Sequence, residues 1–300
     1  MIDSLESRRL FAAGVTITYQ AGGVMRIDGT SGADKIEFAR YGKTQAVVYV
    51  DDVLTTRINL GKTVKSVTFS GGDGNDIFIM GRVPLPCTVD GGDGNDAISA
   101  NAYDSFNDRL YGNSGNDYLY GGPGKDFIDG GGGDDGMIGG GGNDYIKILS
   151  DSAGDDTVNG GTGYDTIDCT NYNRGVHLRI GDKSPPVLTV DDFVRDDVEK
   201  VLGTGYDDNI ANVSGKPITV NLGFGNDIYT GGKAPETIFG GAGNDEIATY
   251  GGNDVINDTL GTNIINGGDG VDTFKGKSTD ALTDIEVKNF TDVAVVVTGS

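Results

Sequence analysis

Aspartates at nine-residue spacing are the residues in this sequence best suited to chemistry. In the glycine-rich stretch 111–147 an aspartate returns at every ninth position, and a large apolar residue follows each one two places later. The aspartates are Asp117, Asp126, Asp135 and Asp144, and the apolar residues are Leu119, Ile128, Met137 and Ile146. A flexible glycine linker would not keep this register, so the pattern indicates a repeating folded structure.

Aligned carboxylates favour the binding of a hard cation, because they would repel one another strongly without one. Ca²⁺ accepts six to eight oxygens, backbone carbonyls included, at about 2.3–2.6 Å, whereas Mg²⁺ demands stricter octahedral geometry. Zn²⁺ prefers His or Cys, which the repeat pattern does not supply, and the EF-hand spacing is absent. We therefore expect several Ca²⁺ ions, with these metal ligands: Asp76, Asp96, Asp117, Asp126, Asp135, Asp144, Asp156, Asp165, Asp227, Asp245, Asp254 and Asp272.

The repeat has the consensus G-G-x-G-x-D-x-U-x, where U is large and apolar and aspartate is the sixth position. Glycine permits the positive φ of a tight turn, and x-U-x is a short strand with its middle side chain inside. Two repeats make one coil of 18 residues, and coils stack about 4.8 Å apart. The repeats start at residues 29, 71, 91, 103, 112, 121, 130, 139, 151, 160, 203, 222, 231, 240, 249, 258 and 267.

These nonapeptides resemble the RTX, or haemolysin-type, calcium-binding family, and the resemblance covers most of residues 29–275. The stretches "GGTGYDTIDCTNYNRGVHLRIGD" and "DDVEKVLGTGYDDNI" resemble the non-repeat segment of that family. The resemblance implies an all-β fold, a parallel β-roll (β-solenoid), with calcium as its cofactor. A β-helix of purely structural glycine turns without metal is the rival explanation of the pattern.

The repeat blocks suggest a domain organisation with β-strand caps at both ends, because a solenoid needs its open ends covered. We expect an export or sorting-like segment at 1–14, a β-rich cap with one degenerate repeat at 15–70, and a first repeat block at 71–170. A connecting segment at 171–202 precedes the second block at 203–275 and a C-terminal β cap at 276–300. The repeat at 103–111 keeps Asp108 but lacks glycines, so we expect it to cap the coil.

Some positions depart from the consensus and predict weaker sites. Glu236 and Asn263 replace the aspartate, and Cys87 occupies the same position in residues 82–90. Cys87 and Cys169 are 82 residues apart, which is more than four coils, so we expect two thiols rather than a disulfide.

The charge balance limits the possible partners. The net charge is −22, and of the 45 acidic residues 39 are Asp and only six are Glu. This balance argues against nucleic acid or an anionic membrane and favours cations. No run of 18 apolar residues is present, so no membrane insertion is expected. A monomer is expected, and cell-surface or matrix glycans remain an open class of partner.

The N-terminus suggests export to the cell surface or the extracellular space. The residues Ser7-Arg8-Arg9-Leu10-Phe11 look like a twin-arginine motif, although no apolar signal core follows. The segment 5–11 also resembles the Leu-Glu-Pro-Arg-x-Leu-Leu motif of planctomycete-type surface proteins, with Ser7 in place of the proline. An ordinary unstructured start is the alternative interpretation.

The sequence lacks the usual signatures of catalysis. The one histidine, His177, lies at an outward position of a predicted strand, and neither H-E-x-x-H nor G-x-S-x-G occurs. We therefore expect a calcium-dependent extracellular β-roll with a structural or adhesive role and no enzyme activity. The alternative is a parallel β-helix-type lyase or epimerase acting on acidic polysaccharide, which would require a cleft of Tyr, Lys, Arg and Asp.

Overall fold

The computed structural model describes residues 10–290 except 13, 61–63, 101–102, 104, 149–153, 172, 182–191, 196, 278 and 286. The segment at 1–14, predicted to be export-like, lies outside the described residues apart from the strand Leu10–Ala12 and Gly14. Regular structure in the described residues is almost entirely β, with one 3₁₀ turn at Ala21–Gly23. No helix in this described part of the chain is long and apolar enough to cross a membrane.

Thirty strands follow one another along the described residues, and most are three to seven residues long. They are β1 (Leu10–Ala12), β2 (Val15–Gln20), β3 (Val24–Asp28), β4 (Lys35–Tyr41), β5 (Gln45–Val50), β6 (Val53–Asn59), β7 (Ser66–Asp73), β8 (Ile77–Ile79), β9 (Cys87–Asp93), β10 (Ala97–Ser99), β11 (Arg109–Ser114), β12 (Tyr118–Pro123), β13 (Phe127–Gly132), β14 (Gly136–Gly141), β15 (Tyr145–Lys147), β16 (Thr157–Thr162), β17 (Thr166–Asp168), β18 (His177–Ile180), β19 (Asp192–Val194), β20 (Lys200–Leu202), β21 (Asn209–Asn212), β22 (Ile218–Phe224), β23 (Ile228–Thr230), β24 (Glu236–Ala242), β25 (Glu246–Ala248), β26 (Val255–Asp258), β27 (Ile264–Asn266), β28 (Thr273–Gly276), β29 (Ala281–Thr283) and β30 (Val287–Phe290).

The chain divides into two compact units, Met1–Asp165 and Thr166–Ser300. In the first unit one sheet has the order β1-β2-β3-β7-β9-β11-β13-β15, and the other has β16-β14-β12-β10-β8-β4-β5-β6. Consecutive strands thus alternate between two sheets over the repeats, so each coil contributes one strand to each sheet. Strand pairing between these coils is parallel, as in β11 with β13 and β12 with β14.

The second unit has the same construction. Its sheets have the orders β17-β20-β22-β24-β26-β28-β30 and β29-β27-β25-β23-β21-β18-β19. Every pairing described within it is parallel, for example β22 with β24 and β25 with β27. The predicted all-β parallel β-solenoid is confirmed.

The core of each unit is a stack of the apolar residues at position eight of the repeat. In the first unit Leu119 pairs with Ile98 on one side and Met137 on the other, and none of the three is more than 2% exposed. In the second unit Ile247 and Ile265 pair in the same way and are equally buried. The inward direction of the x-U-x middle residue therefore supplies the apolar burial that stabilises the coil.

The turn requires glycine at positions two and four of the repeat. Gly92 and Gly94 have φ of 107° and 133°, a region that residues with a Cβ rarely adopt. A Cβ on Gly92 would also collide with the carbonyl oxygen of Gly72, and one on Gly94 with that of Gly74. The glycines thus allow successive turns to stack at the spacing of the strands.

The N-terminal end differs from the repeats in its strand direction. β1 to β3 form an antiparallel meander, and so do β4 to β6. β3 and β4 then pair in parallel with β7 and β8, the first strands of the repeat coils. At the other end β29 and β30 continue the parallel pairing, and residues 291–300 of the predicted C-terminal cap lie outside the described residues.

The buried stack at position eight predicts that truncating two adjacent side chains will have very different effects on stability. Leu119→Ala removes a fully buried side chain, whereas Tyr118→Ala removes one that is 53% exposed. We expect Leu119→Ala to lower the free energy of unfolding by about 2–5 kcal/mol. Urea unfolding of both variants checks this, and similar midpoints for the two would contradict the assigned inward direction.

Candidate metal centres

In the first unit the repeat aspartates form two hydrogen-bonded ladders, one along each edge where turns meet strands. Each backbone N–H donates to the Oδ1 of the aspartate one coil further on, at 2.7–2.9 Å. One ladder contains Asp34, Asp76, Asp96, Asp117, Asp135 and Asp156, and the other contains Cys87, Asp108, Asp126, Asp144 and Asp165.

The second unit has two further ladders with the same hydrogen bond at 2.8–3.0 Å. One contains Val176, Asp208, Asp227, Asp245, Asn263 and Asp280, and the other contains Glu236, Asp254 and Asp272. All twelve aspartates that the sequence nominates as ligands therefore lie on the four ladders, and all are buried.

The ladder leaves the second carboxyl oxygen of many members buried without a hydrogen-bond partner. These residues are at most 3% exposed, and they are Asp76, Asp96, Asp108, Asp117, Asp126, Asp144, Asp227, Glu236, Asp245 and Asp254. Burial of an ionised carboxylate oxygen with no partner is strongly unfavourable. A regular series of such oxygens is the arrangement that a bound cation would stabilise.

Several of these carboxylate oxygens lie close to a carbonyl oxygen of the next coil. At the first glycine of the repeat, a Cβ on Gly71 would collide with both Asp76 Oδ2 and the Gly91 carbonyl oxygen. A Cβ on Gly112 would likewise collide with Asp117 Oδ2 and the Gly130 carbonyl oxygen. The absent Cβ thus leaves space in which a carboxylate and a carbonyl from successive coils converge.

This ligand chemistry suits calcium. No three Asp, Glu, His or Cys side chains gather into one cluster among the residues that the structure describes, so any site must mix carboxylate with backbone oxygens. Ca²⁺ accepts that mixture and tolerant geometry, whereas structural Zn²⁺ sites are tetrahedral and built from Cys and His. The residues present therefore fit calcium and do not fit zinc.

Burial raises the pKa of several ladder carboxyls, and neighbouring carboxylates raise it further. The pKa is raised to about 6 for Asp76, about 7 for Asp117 and Asp227, and about 8 for Asp126. The backbone N–H that each Oδ1 accepts opposes this rise. Desolvation of the charged form is thus the dominant effect.

Two degenerate repeats satisfy their aspartate without an ion. Asp34 Oδ2 accepts hydrogen bonds from the Thr30 backbone amide at 2.6 Å and the Thr30 hydroxyl at 3.0 Å. Asp208 Oδ2 accepts from the Thr204 amide at 2.8 Å, and Asp208 Oδ1 accepts from the Thr204 hydroxyl at 2.7 Å. Threonine at the second position of the repeat therefore supplies hydrogen bonds that the other ladder carboxylates lack.

Asp108 is a ladder residue that the sequence reasoning assigned to a cap, and that assignment is wrong. β11 pairs in parallel with both β9 and β13, so the coil lies inside the solenoid. Asp108 accepts from the Cys87 amide, donates its own amide to Asp126, and is 1% exposed. Its place in the nine-residue register was the available signal, and the missing glycines obscured it.

Glu236 and Cys87, which replace aspartate at the sixth position, keep a backbone hydrogen bond of the ladder but differ in their side-chain chemistry. Glu236 donates its amide to Asp254 Oδ1, while its Oε1 accepts from Asn212 Nδ2 and the Gly232 amide, each at 2.8 Å. At Cys87, burial and the adjacent Asp108 raise the pKa of the thiol, which disfavours a thiolate ligand. Neither cysteine forms a disulfide, as expected.

Two features bear on catalysis. His177 is exposed on β18 between buried Val176 and Leu178, as expected from alternation. One surface cavity of the first unit does bring Arg109, Lys125 and Tyr145 together with ladder residues, and its lining is Asn107, Asp108, Arg109, Lys125, Asp126, Phe127 and Tyr145.

Stacked coils whose turns carry carboxylate ladders define a parallel β-solenoid built around repeated oxygen-rich sites. The family model for the RTX calcium-binding nonapeptide repeat (4 copies) matches residues 66–82, 103–137, 111–146, 148–168, 221–256 and 249–278. The chain therefore contains RTX calcium-binding nonapeptide repeats, a repeat family that is typically structural. No curated protein matches the chain.

The raised pKa values predict that acid stabilises the calcium-free fold. A carboxyl whose pKa is higher in the folded chain contributes stability at low pH, and that stability is lost as the pH rises through the folded pKa. In chelator, the folded fraction measured by far-ultraviolet circular dichroism should therefore fall between about pH 5 and pH 8. Asp126→Asn should weaken this dependence more than Asp134→Asn, which neutralises an exposed carboxylate. A folded fraction that rises with pH in chelator would contradict the prediction.

Proposed function

We propose that this chain is a calcium-stabilised β-solenoid that acts outside the cell in a structural or adhesive role. The observation that carries the proposal is the row of buried second carboxyl oxygens without a hydrogen-bond partner. An ion between successive coils would supply the missing partner and cancel the repulsion along each ladder. Calcium's part in this function is to neutralise those charges and hold adjacent turns together.

The proposed ligands are the twelve predicted aspartates together with Asp108. Where the next coil begins with glycine, one carboxylate would act with the carbonyl oxygen of that glycine, as at Asp76 and Gly91. The Oδ1 of each aspartate stays on the backbone amide of the preceding coil, so it positions the carboxyl group. Asp34 and Asp208 are left out because their threonine partners already satisfy them.

Charge and chain entropy both support folding coupled to calcium. A net charge of −22 opposes compaction, and the 52 glycines lose much conformational entropy on folding. RTX-repeat proteins are typically secreted, and extracellular modules bind calcium in the range of about 10⁻⁴–10⁻³ M. Folding would then follow export from the low-calcium cytosol, and the folded monomer would present its surface to glycans or a neighbouring cell.

Calcium should act as a folding switch for the whole chain. We expect a β-type far-ultraviolet circular dichroism spectrum in millimolar calcium, and a largely unfolded spectrum in chelator at neutral pH. Magnesium at the same concentration is the matched control and should restore little structure, because it requires stricter geometry. Identical spectra and melting temperatures in calcium and in chelator would show that the solenoid folds without metal.

Substituting two aspartates of one repeat tests whether calcium binding needs the ladder carboxylate or only a nearby negative charge. Asp96 is 3% exposed and lies on the ladder, whereas Asp93 is exposed three residues earlier. Asp96→Asn keeps an oxygen for the Asp76 amide but removes the charge, so we expect a lower calcium stoichiometry. Asp93→Asn should bind as many ions as the unmodified protein. Calorimetric titration decides, and equal stoichiometry for both variants would reject the assigned ligands.

The cavity beside Asp126 favours one rival function, cleavage or epimerisation of an acidic polysaccharide. Arg109 and Lys125 could neutralise a uronate carboxylate there, and Tyr145 lies at the same cavity. The test is incubation of the calcium-loaded protein with a polyuronate, followed by detection of unsaturated or epimerised products. We expect none, and product formation that is lost in Lys125→Ala would establish the enzyme instead.

A further inference from the structure

The repeat at 258–266 carries its carboxylate at an unusual position. Asp258 occupies the first position of this repeat, where the consensus has glycine, and Asn263 occupies the sixth, where it has aspartate. Asp258 is fully buried, and neither of its carboxyl oxygens has a hydrogen-bond partner. A buried carboxylate of this kind requires a compensating partner.

Asn263 keeps the ladder hydrogen bond but offers no carboxylate. Its Oδ1 accepts from the Asp245 amide at 3.0 Å, and its Nδ2 donates to the Leu260 carbonyl at 3.1 Å. The amide oxygen therefore links to the preceding coil, and the amide nitrogen bonds within its own turn. The structural part of the sixth position is retained in this coil, while its negative charge is missing.

The carboxyl group of Asp258 enters the same kind of space that the first glycine leaves elsewhere. A Cβ on Gly240 would collide with Asp258 Oδ2 and would lie 3.1 Å from Asp245 Oδ2. Asp245 Oδ2 is itself buried and without a partner. Two carboxylates from successive coils thus converge where other coils bring together one carboxylate and one carbonyl.

We propose that Asp258 and Asp245 together hold a calcium ion, with Asp258 supplying from the first position the charge that Asn263 lacks at the sixth. The assignment rests on calcium binding by the repeats and adds to it a ligand outside the nonapeptide consensus. The sequence shift conserves the number of carboxylates in the coil while changing the position from which one arrives.

Two charged side chains near this pair are engaged in other contacts. Nearby Asp280 belongs to the ladder, since its oxygens accept from the Asn263 amide at 3.0 Å and the Lys277 amide at 2.8 Å. The Lys277 ammonium donates instead to the Gly261 carbonyl at 3.1 Å.

The test compares two charge-neutralising variants in the full chain. Asp258→Asn should bind one calcium ion fewer than the unmodified protein by calorimetric titration at neutral pH. Asp269→Asn, which neutralises an exposed aspartate of the next coil, should bind the same number. Circular dichroism in saturating calcium verifies that both variants are folded.

A rescue variant tests the exchange of positions directly. Asp258→Gly combined with Asn263→Asp restores the consensus arrangement and should recover the ion that Asp258→Gly alone loses. The proposal is overturned if Asp258→Asn binds as many ions as the unmodified protein with equal affinity, since Asp258 would then be a protonated partner of Asp245. Absence of calcium binding by the unmodified protein would instead reject the proposed function as a whole.

Discussion

The stacking of this solenoid depends on how each ladder aspartate divides its two carboxyl oxygens. One oxygen accepts the amide of the preceding coil, as Asp126 does from Asp108 at 2.8 Å, and so sets the distance between turns. The other is thereby drawn into a buried position without a partner. The hydrogen bond that orders the coils thus creates the electrostatic problem that a cation would remove.

The departures from the consensus show that the ladder aspartate has two separable roles: to accept a backbone amide and to offer a charged oxygen to an ion. Asn263 and Cys87 both keep a backbone link to the ladder, although neither carries a carboxylate. Asp34 and Asp208 keep the carboxylate and complete it with a threonine amide and hydroxyl. The structural hydrogen bond is thus kept in each of these coils, whereas the buried, unpartnered carboxylate oxygen of the regular repeats is not.

This division links the fold to the proposed function. Because a site is made by two successive coils, it does not exist in the unfolded chain, and ion binding contributes directly to folding free energy. Apolar stacking at position eight, as at Leu119 and Ile247, supplies stability of its own. The raised pKa values at Asp117 and Asp126 express the cost that remains when neither proton nor ion is bound.

The nine-residue register by itself determined the parallel β-solenoid, the inward residues and the ladder aspartates, because each feature repeats with the period of the coil. It did not reveal that Asp108 lies inside a ladder, since the missing glycines hid a strand whose pairing is set by its neighbours. Nor did it distinguish the threonine-satisfied Asp34 from Asp76, or find Asp258. Those distinctions depend on which oxygens meet across coils about 18 residues apart, and only the tertiary structure brings those atoms together.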